Sequence, residues 1–399
     1  MRVLLVTDWT ANEGGIETYV ARVSDALRDL GHEVRLLTSS ISAAARARAD
    51  YVAPATDNPV AQTFLQIANP LAAKRTRAAV SEFRPDVALV NMFEKYLSPA
   101  VFQALRGTPT VAFVHYYKPV CPTALKVLPD GSLCEVPAGF VCWRMGCVGL
   151  AEWLRDRPRY ALIRSGFARA ERVLACSEWM AGLLRQNGIG AESIPLPVPR
   201  PSAGFARAPS PEPVFLYCGR LDPEKGVDLL LRAFASVRRR RPTVELRVLG
   251  GGPRLKELQT RAAELNVADA VRFDGRVSFR EVEAALADAW ALVAPSVWPE
   301  PLGLVAIEAI TRRVPAITSA LGGFAETVRH GVSGYLVPNG DVQALAEALA
   351  AAVDAGPLDV PEEAVRDLRK RHDVAEHAAA LVDVFHSAVN AHRAGQRLR

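Results

Sequence analysis

The sequence predicts an α/β protein with two doubly wound, Rossmann-like domains facing a central cleft, and three observations predict it. Short Val- and Leu-rich runs alternate with helical stretches along nearly the whole chain, the pattern that builds parallel sheets from βα units. The alternation breaks once, at a proline-rich stretch, and then resumes. A chain of 399 residues also exceeds what one hydrophobic core ordinarily organises.

The first series of strands reads Val3–Val6, Glu33–Leu37, Val87–Val90, Thr110–Val114 and Arg172–Ala175. From Pro195 to Pro213 the prolines are too dense for a helix or a sheet interior, so this region reads as a connection. The second series reads Val214–Tyr217, Glu245–Leu249, Val271–Phe273, Ala291–Ala294 and Ala316–Thr318. The expected division is an N-terminal domain over 1–198 with a cysteine-rich insertion at about 116–149, a linker over 199–212, and a second domain over 213–374. A helix and tail over 375–399 follow, able to dock on the N-terminal domain.

Composition narrows the function classes. Half of the residues are hydrophobic and 23% are charged, as in an ordinary soluble globular protein. A net charge of +5 admits an anionic ligand or a membrane surface but is too diffuse to indicate nucleic acid. No apolar run reaches the roughly 18 residues of a membrane span, and Met1–Asp8 has neither the length nor the flanks of a signal peptide. The expected location is cytoplasmic, with peripheral attachment to the inner face of a membrane left open, so the six cysteines should be thiols or metal ligands.

In open α/β sheets ligands bind at the carboxyl ends of strands, so the loops after strands carry the chemistry. Gly14 and Gly15 follow the first strand and precede a helix, where paired glycines let backbone approach a bound group. Cys218–Gly226 places Arg220 and Lys225 at a strand exit, a planar fork and a point charge suited to a diphosphate. Gly322 and Gly323, with Glu326 behind them, repeat the glycine device. Pro301 suits a first helical position, which makes Glu300 an entry-loop residue and puts Glu308 about 12 Å along the helix. The helix start would favour a phosphorylated ligand beside the two carboxylates.

Together these motifs resemble the retaining nucleotide-sugar glycosyltransferases of glycosyltransferase family 4, which have the two-domain GT-B fold. The resemblance covers nearly the whole chain and is strongest from Gly219 to about Asp341. It includes Glu224-Lys225-Gly226, Gly250-Gly251-Gly252-Pro253, Pro295-Ser296, the Glu300/Glu308 pair, Gly322-Gly323 and Gly331–Val337, with Gly14–Glu17, Gly31–Val34 and Ser177-Glu178 in the first domain. It implies that Arg220 and Lys225 hold a UDP- or GDP-type donor diphosphate with help from the amides of Gly14, Gly15, Gly322 and Gly323. Glu300 would bind sugar hydroxyls and Glu308 the ribose, with Gly219, Gly303, Leu304 and Glu326 also on the donor side. His115 matches the family histidine near the sugar and acceptor, with Asn91 and Gly14 as its neighbours and Tyr116 and Tyr117 on the acceptor side. The leaving phosphate would take the acceptor's proton, so no protein base and no metal or other cofactor is required. The acceptor is a hydroxyl of a glycan, lipid-linked sugar or small metabolite. Two other readings fit the frame: a nucleotide-sugar epimerase, and a non-catalytic nucleotide-sugar or glycan-binding protein.

Four departures from the family pattern stand out. Tyr116 replaces a frequent aspartate, Ile194–Pro199 replaces a glycine-containing hinge, and Arg313 stands where glycine is frequent. Pro301-Leu302 likewise replaces Gly-Phe. Within the insertion, Cys121, Cys134, Cys142 and Cys147 could hold one tetrahedral zinc that stiffens a segment poor in apolar residues. Their spacing is irregular, so free thiols, an iron–sulfur cluster and disulfides are the competing readings. Arg238–Arg241 reads as a solvated helix end, while Arg22, Arg28, Lys74, Arg75 and Arg77 could face anionic lipid.

Overall fold

The computed structural model describes residues 1–8, 15–41 and 43–397. Among them, β1 (Arg2–Val6), β2 (Glu33–Ser39), β3 (Tyr51–Ala53), β4 (Val87–Val90), β5 (Thr110–Val114), β6 (Arg172–Ala175) and β7 (Glu192–Ser193) form one sheet in the order β3-β2-β1-β4-β5-β6-β7. A second sheet contains β8 (Val214–Cys218), β9 (Glu245–Leu249), β10 (Val271–Gly275), β11 (Ala291–Ala294), β12 (Ala316–Ser319) and β13 (Gly334–Val337), ordered β10-β9-β8-β11-β12-β13. Every pairing in both sheets is parallel. Both are doubly wound, with the winding reversing between β1 and β4 in one and between β8 and β11 in the other.

The strands read as continuous apolar runs because helices cover both faces of each sheet. Val3 to Val6 and Val87 to Val90 are essentially inaccessible. In β8, Phe215 and Tyr217 join one core cluster while Leu216 joins the other, as successive side chains on opposite faces must. Sequence reading missed β3, β7 and β13, which are short, edge or near-edge strands.

The described residues of 1–197 and 374–397 form one compact unit, and 198–373 form the other. The stretch 199–212 does not behave as a linker. Its backbone is stitched to the second unit by Ser202 N–H to Glu283 (3.0 Å), Ala208 N–H to the Ala287 carbonyl (3.1 Å) and Ser210 N–H to the Asp288 carbonyl (2.9 Å). Beneath it, fully buried Arg312 donates from Nη2 to Glu283 at 2.7 Å.

The C-terminal helix, Val374–Arg397, packs in the first unit against the helix Gly15–Asp29 and against β4 and β5. Ala378, Leu381, Phe385 and Ala388 form its buried stripe, at the spacing an amphipathic helix requires. His377 accompanies that stripe, its Nδ1 2.8 Å from the Pro195 carbonyl and its Nε2 3.1 Å from the Tyr19 hydroxyl.

Candidate functional site

Two strand exits flank the reversal point of the second sheet, and the sequence loads both. The loop after β8 carries Arg220 and Lys225; the loop after β11 carries Glu300. The structure brings Lys225 and Glu300 together, with Lys225 Nζ donating to Glu300 Oε1 at 2.7 Å. Ser296 Oγ (2.8 Å) and the Trp298 indole N–H (3.1 Å) donate to the same oxygen. The ammonium also lies 4.9 Å from the centre of the Trp298 ring, a cation–π contact. Among the described residues these bonds all fall on Oε1, so the carboxylate is oriented by one of its edges.

Arg220 projects from the same region with its side chain 74% exposed, its Nε 2.7 Å from Asp222 Oδ2. An exposed guanidinium tethered by one carboxylate keeps donors available for an anionic ligand. Glu308 is half-buried in the helix Leu304–Ile310. Burial, with the Glu308 carboxylate adding to it, pushes the Cys218 thiol up to about 12, so this cysteine is an inert wall of the site. Cys176, 1% exposed, is likewise a core residue.

Three expectations need correction. The helix begins at Leu304 rather than Pro301, because Gly303 takes a left-handed conformation (φ 82°) at its N-cap. Glu308 is therefore roughly 6 Å along the axis, about half the expected distance. Gly323 cannot give its amide to a phosphate in this arrangement, since that N–H donates to the Glu300 carbonyl at 2.8 Å. The Gly219 N–H is similarly engaged by the Leu249 carbonyl at 3.0 Å. What the glycines do is allow close packing of loops: at Gly322 (φ 62°) a Cβ would lie 2.4 Å from the Glu300 carbonyl oxygen. Glu326 is exposed on the short helix Phe324–Thr327. Sequence reasoning also overlooked Asp222, Ser296 and Trp298, all within the runs it quoted; polar residues within four positions of a charged site residue were the available signal.

In the first unit, His115 follows β5 and its Nε2 lies 3.1 Å from Asn91 Oδ1, beyond β4. Burial, with a smaller push from His377, lowers its pKa to about 3, so the ring is neutral at ordinary pH. Phe113 stacks on it at 4.5 Å. Among the described residues, His115 Nδ1 and Asn91 Nδ2 are buried without a hydrogen-bond partner. The predicted glycine neighbour, Gly14, lies outside the described residues, and Gly15 opens the helix Gly15–Asp29.

Tyr116 donates its hydroxyl to Glu94 Oε2 at 2.6 Å, and the Trp179 indole donates to the Tyr117 hydroxyl at 3.1 Å. Glu94 is an acid that sequence reading passed over, although it sits in a strand-exit loop. It is 2% exposed, and burial outweighs the bonds from Tyr116 and the Phe93 amide, raising its carboxyl to about 7. Asp8, at the end of β1, fixes this loop by accepting the N–H groups of Lys95 (2.6 Å), Tyr96 (3.0 Å) and Leu97 (2.6 Å).

All four insertion cysteines are free. Burial raises the thiols of Cys142 and Cys147, and Cys121 and Cys134 push both further in the same direction, which sets the four as neighbours. Among the described residues, no three ligating groups converge as they would around an ion. Lys126, itself 3% exposed, donates to the Val136 carbonyl at 2.8 Å and reaches Cys134 Sγ at 3.6 Å.

Comparison with known proteins matches residues 14–198 to the glycosyl transferase 4-like domain and residues 204–371 to the glycosyl transferases group 1. A glycogen synthase of Mycobacterium tuberculosis is 37% identical over 169 residues, covering 42% of this chain and 39% of the relative. A GDP-mannose-dependent alpha-(1-6)-phosphatidylinositol monomannoside mannosyltransferase of Mycolicibacterium smegmatis is 38% identical over 143 residues, covering 34% and 37%. The chain thus spans about two fifths of the length of the curated relatives it matches. The crystal structure of Anabaena Alr3699/HepE in complex with UDP aligns with a TM-score of 0.72 at 20% identity, over 97% of this chain and all of that one.

Proposed function

The chain belongs to the GT-B glycosyltransferases of the family 4 type, and on that premise we propose that it moves a sugar from a nucleoside diphosphate to a hydroxyl acceptor with retention of configuration. The observation that carries this reading is the Glu300 carboxylate, held by Lys225, Ser296 and Trp298 at the reversal point of a doubly wound sheet and accompanied by exposed Arg220. A diphosphate arriving there competes with Glu300 for Lys225 and with Asp222 for Arg220. It thereby releases Glu300 toward sugar hydroxyls while the cations meet phosphate oxygens.

As the glycosidic bond breaks, negative charge grows on the departing diphosphate, and preorganised cations stabilise it more than they stabilise the bound donor. The departing phosphate accepts the acceptor's proton. His115, neutral across the working range, contributes hydrogen bonds rather than proton transfer. Glu308 serves the ribose. No metal or other cofactor takes part. The donor nucleotide is of the UDP or GDP type, in line with the UDP bound by the Anabaena protein and the GDP-mannose dependence of the mycobacterial relative.

Glu300→Ala and Arg220→Ala should each lower turnover roughly a hundredfold while leaving thermal unfolding unchanged; near-normal rates in both would refute the assignment. Chromatography of products with and without acceptor separates transfer from epimerisation, and absence of any donor turnover would indicate a binding protein.

Zinc at Cys121, Cys134, Cys142 and Cys147 belongs to the same reading as a structural element. It draws support from the mutual proximity of the thiols and requires their side chains to close on one ion. Metal analysis of the purified protein should find about one zinc per chain; finding none would remove it. No helix among the described residues is long and apolar enough to cross a membrane. Peripheral attachment is favoured by exposed Val60 and Phe64, followed in sequence by exposed Lys74 and Arg77.

A further inference from the structure

A cavity of about 270 Å³ lies in the first unit between the cysteine-bearing insertion and the helix Leu150–Phe167. The helix supplies Trp153, Arg157, Tyr160, Ala161 and Arg164 to it; the insertion supplies Phe140, Val148 and Pro122. Its inner end is close to the residues that follow His115, since the Tyr160 hydroxyl donates to the Lys118 carbonyl at 3.3 Å.

Two features describe what this groove would accept. Its surroundings are apolar and exposed: Phe140 is 50% accessible, Met145 41%, Leu150 45% and Leu154 50%. Leu150, Trp153, Leu154, Arg157, Ala161 and Arg164 fall on one helix face, apolar in its first half and cationic toward its end. Exposed apolar groups gathered in this way mark an interaction site rather than ordinary surface.

The charges then select the partner. The carboxylates at the groove, Glu152 and Asp156, are engaged by Arg155 at 3.5 Å and 2.8 Å. Arg157 lies over the Trp153 ring at 5.0 Å. Neither Arg157 nor Arg164 has an ion pair among the described residues. A sugar chain would call for unengaged carboxylates beside the aromatic rings, whereas this groove leaves its guanidinium groups without counter-ions beside apolar walls.

We propose that the groove binds an anionic amphiphile, a phosphate carried on an apolar hydrocarbon chain, and so seats the lipid portion of the acceptor. The binding site stands on its own residues; its role in the reaction rests on the transferase reading above. The cavity has room for several carbons of an apolar chain, with any longer chain continuing over Leu150 and Leu154.

The test uses the full chain, titrated with geranyl phosphate while tryptophan fluorescence is followed. Saturable binding is expected. Isopentenyl phosphate should bind at least tenfold more weakly, because each methylene left unburied forfeits roughly a fourfold gain. Geraniol, lacking the phosphate, should also bind at least tenfold more weakly. The Arg157→Ala/Arg164→Ala double variant should lose at least tenfold for geranyl phosphate, and Phe140→Asp should lose as much through the apolar wall. Thermal stabilisation by UDP or GDP should be unchanged in both variants, so failure of the donor reading and failure of the groove register separately. Equal affinity for the two chain lengths, or unaltered affinity in both variants, would overturn the proposal. So would saturation by an oligosaccharide without binding of geranyl phosphate, or adsorption to anionic vesicles with no binding of the soluble probe.

Discussion

Two buried arginines, one in each unit, meet different fates. Arg312 in the second unit is fully inaccessible, and its guanidinium is bonded on every side. Nε and Nη2 reach Glu283 at 3.0 and 2.7 Å, Nη1 reaches the Glu308 carbonyl at 3.1 Å, and Nη2 also faces the carbonyls of Pro199 and Arg200 at 3.4 Å. Arg159 in the first unit is 2% exposed, yet among the described residues it bonds only the Glu94 carbonyl at 2.7 Å and Gln66 at 3.3 Å, and its Nε is unsatisfied. Asn91 Nδ2, His115 Nδ1 and Gln62 Oε1 in that unit are unsatisfied as well. Buried polar atoms without partners are uncommon and mark places that a ligand or ordered water completes. The second unit has unfilled bonds of its own at Arg207 Nε and Thr318 Oγ1 among the described residues, so the contrast lies at the two arginines: Arg312 is closed into a frame, whereas Arg159 is left partly unbonded.

That contrast can be broken most directly at the frame. Glu283→Ala strands the Arg312 charge and should cost about 3–5 kcal/mol in denaturant unfolding of the second unit. Gln66→Ala, the corresponding cut at Arg159, should cost about 1 kcal/mol. Similar losses from both would erase the distinction between the two arginines.

A pH series sharpens the other side. Because Glu94 titrates near 7 when folded and near the ordinary glutamate value when unfolded, the folded state holds the extra proton between those limits. Stability should therefore fall as pH rises from about 4.5 to 7, by about 3 kcal/mol for this group alone. Glu94→Gln should flatten that decline. Glu283 has the opposite sign. Burial pushes its carboxyl up, but the bonds from Ser202 and Arg312 outweigh that and hold it below the usual range. Its contribution is present at neutral pH and disappears as pH falls through the folded value, below the ordinary glutamate range. An unchanged slope in Glu94→Gln would show that the acid is not the titrating group.

At the candidate donor site, Lys225→Ala should reduce turnover about a hundredfold, equivalent to roughly 2.7 kcal/mol of transition-state stabilisation. It should leave the stability of the first unit untouched. The smallest effect is expected at Arg313, which has a left-handed backbone (φ 67°) yet bonds Asp359 at 3.3 Å and Glu362 at 2.6 Å. Arg313→Gly relieves the strain and loses exposed ion pairs worth little. A change in stability within about 1 kcal/mol is anticipated; a larger loss would make those pairs part of the frame.

Much of this was legible in the sequence. Apolar runs of four to five residues located the long strands, and the loops after β8 and β11 identified Arg220, Lys225 and Glu300 before any geometry was known. Asn91 was named beside His115, and the two are in contact. Arg313 was noticed only as an exception, and its left-handed backbone explains why glycine suits that place. Two of the misreadings share one origin. The linker over 199–212 and the Gly323 amide both looked free when judged by near neighbours, but their partners lie about 20 to 80 residues away in Glu300 and Glu283; the helix start was misplaced because Gly303 is left-handed.

The sequence by itself therefore determined the two doubly wound sheets and the residue types at their strand exits, because side-chain periodicity and turn chemistry act over a few residues. Only the tertiary structure decided that Glu300 is clasped by Lys225, that the last helix belongs to the first unit, that His115 is neutral and Glu94 titrates near 7, and that a groove opens beside the insertion. Burial and long-range bonding set those properties, and both depend on what the rest of the chain brings to the same place.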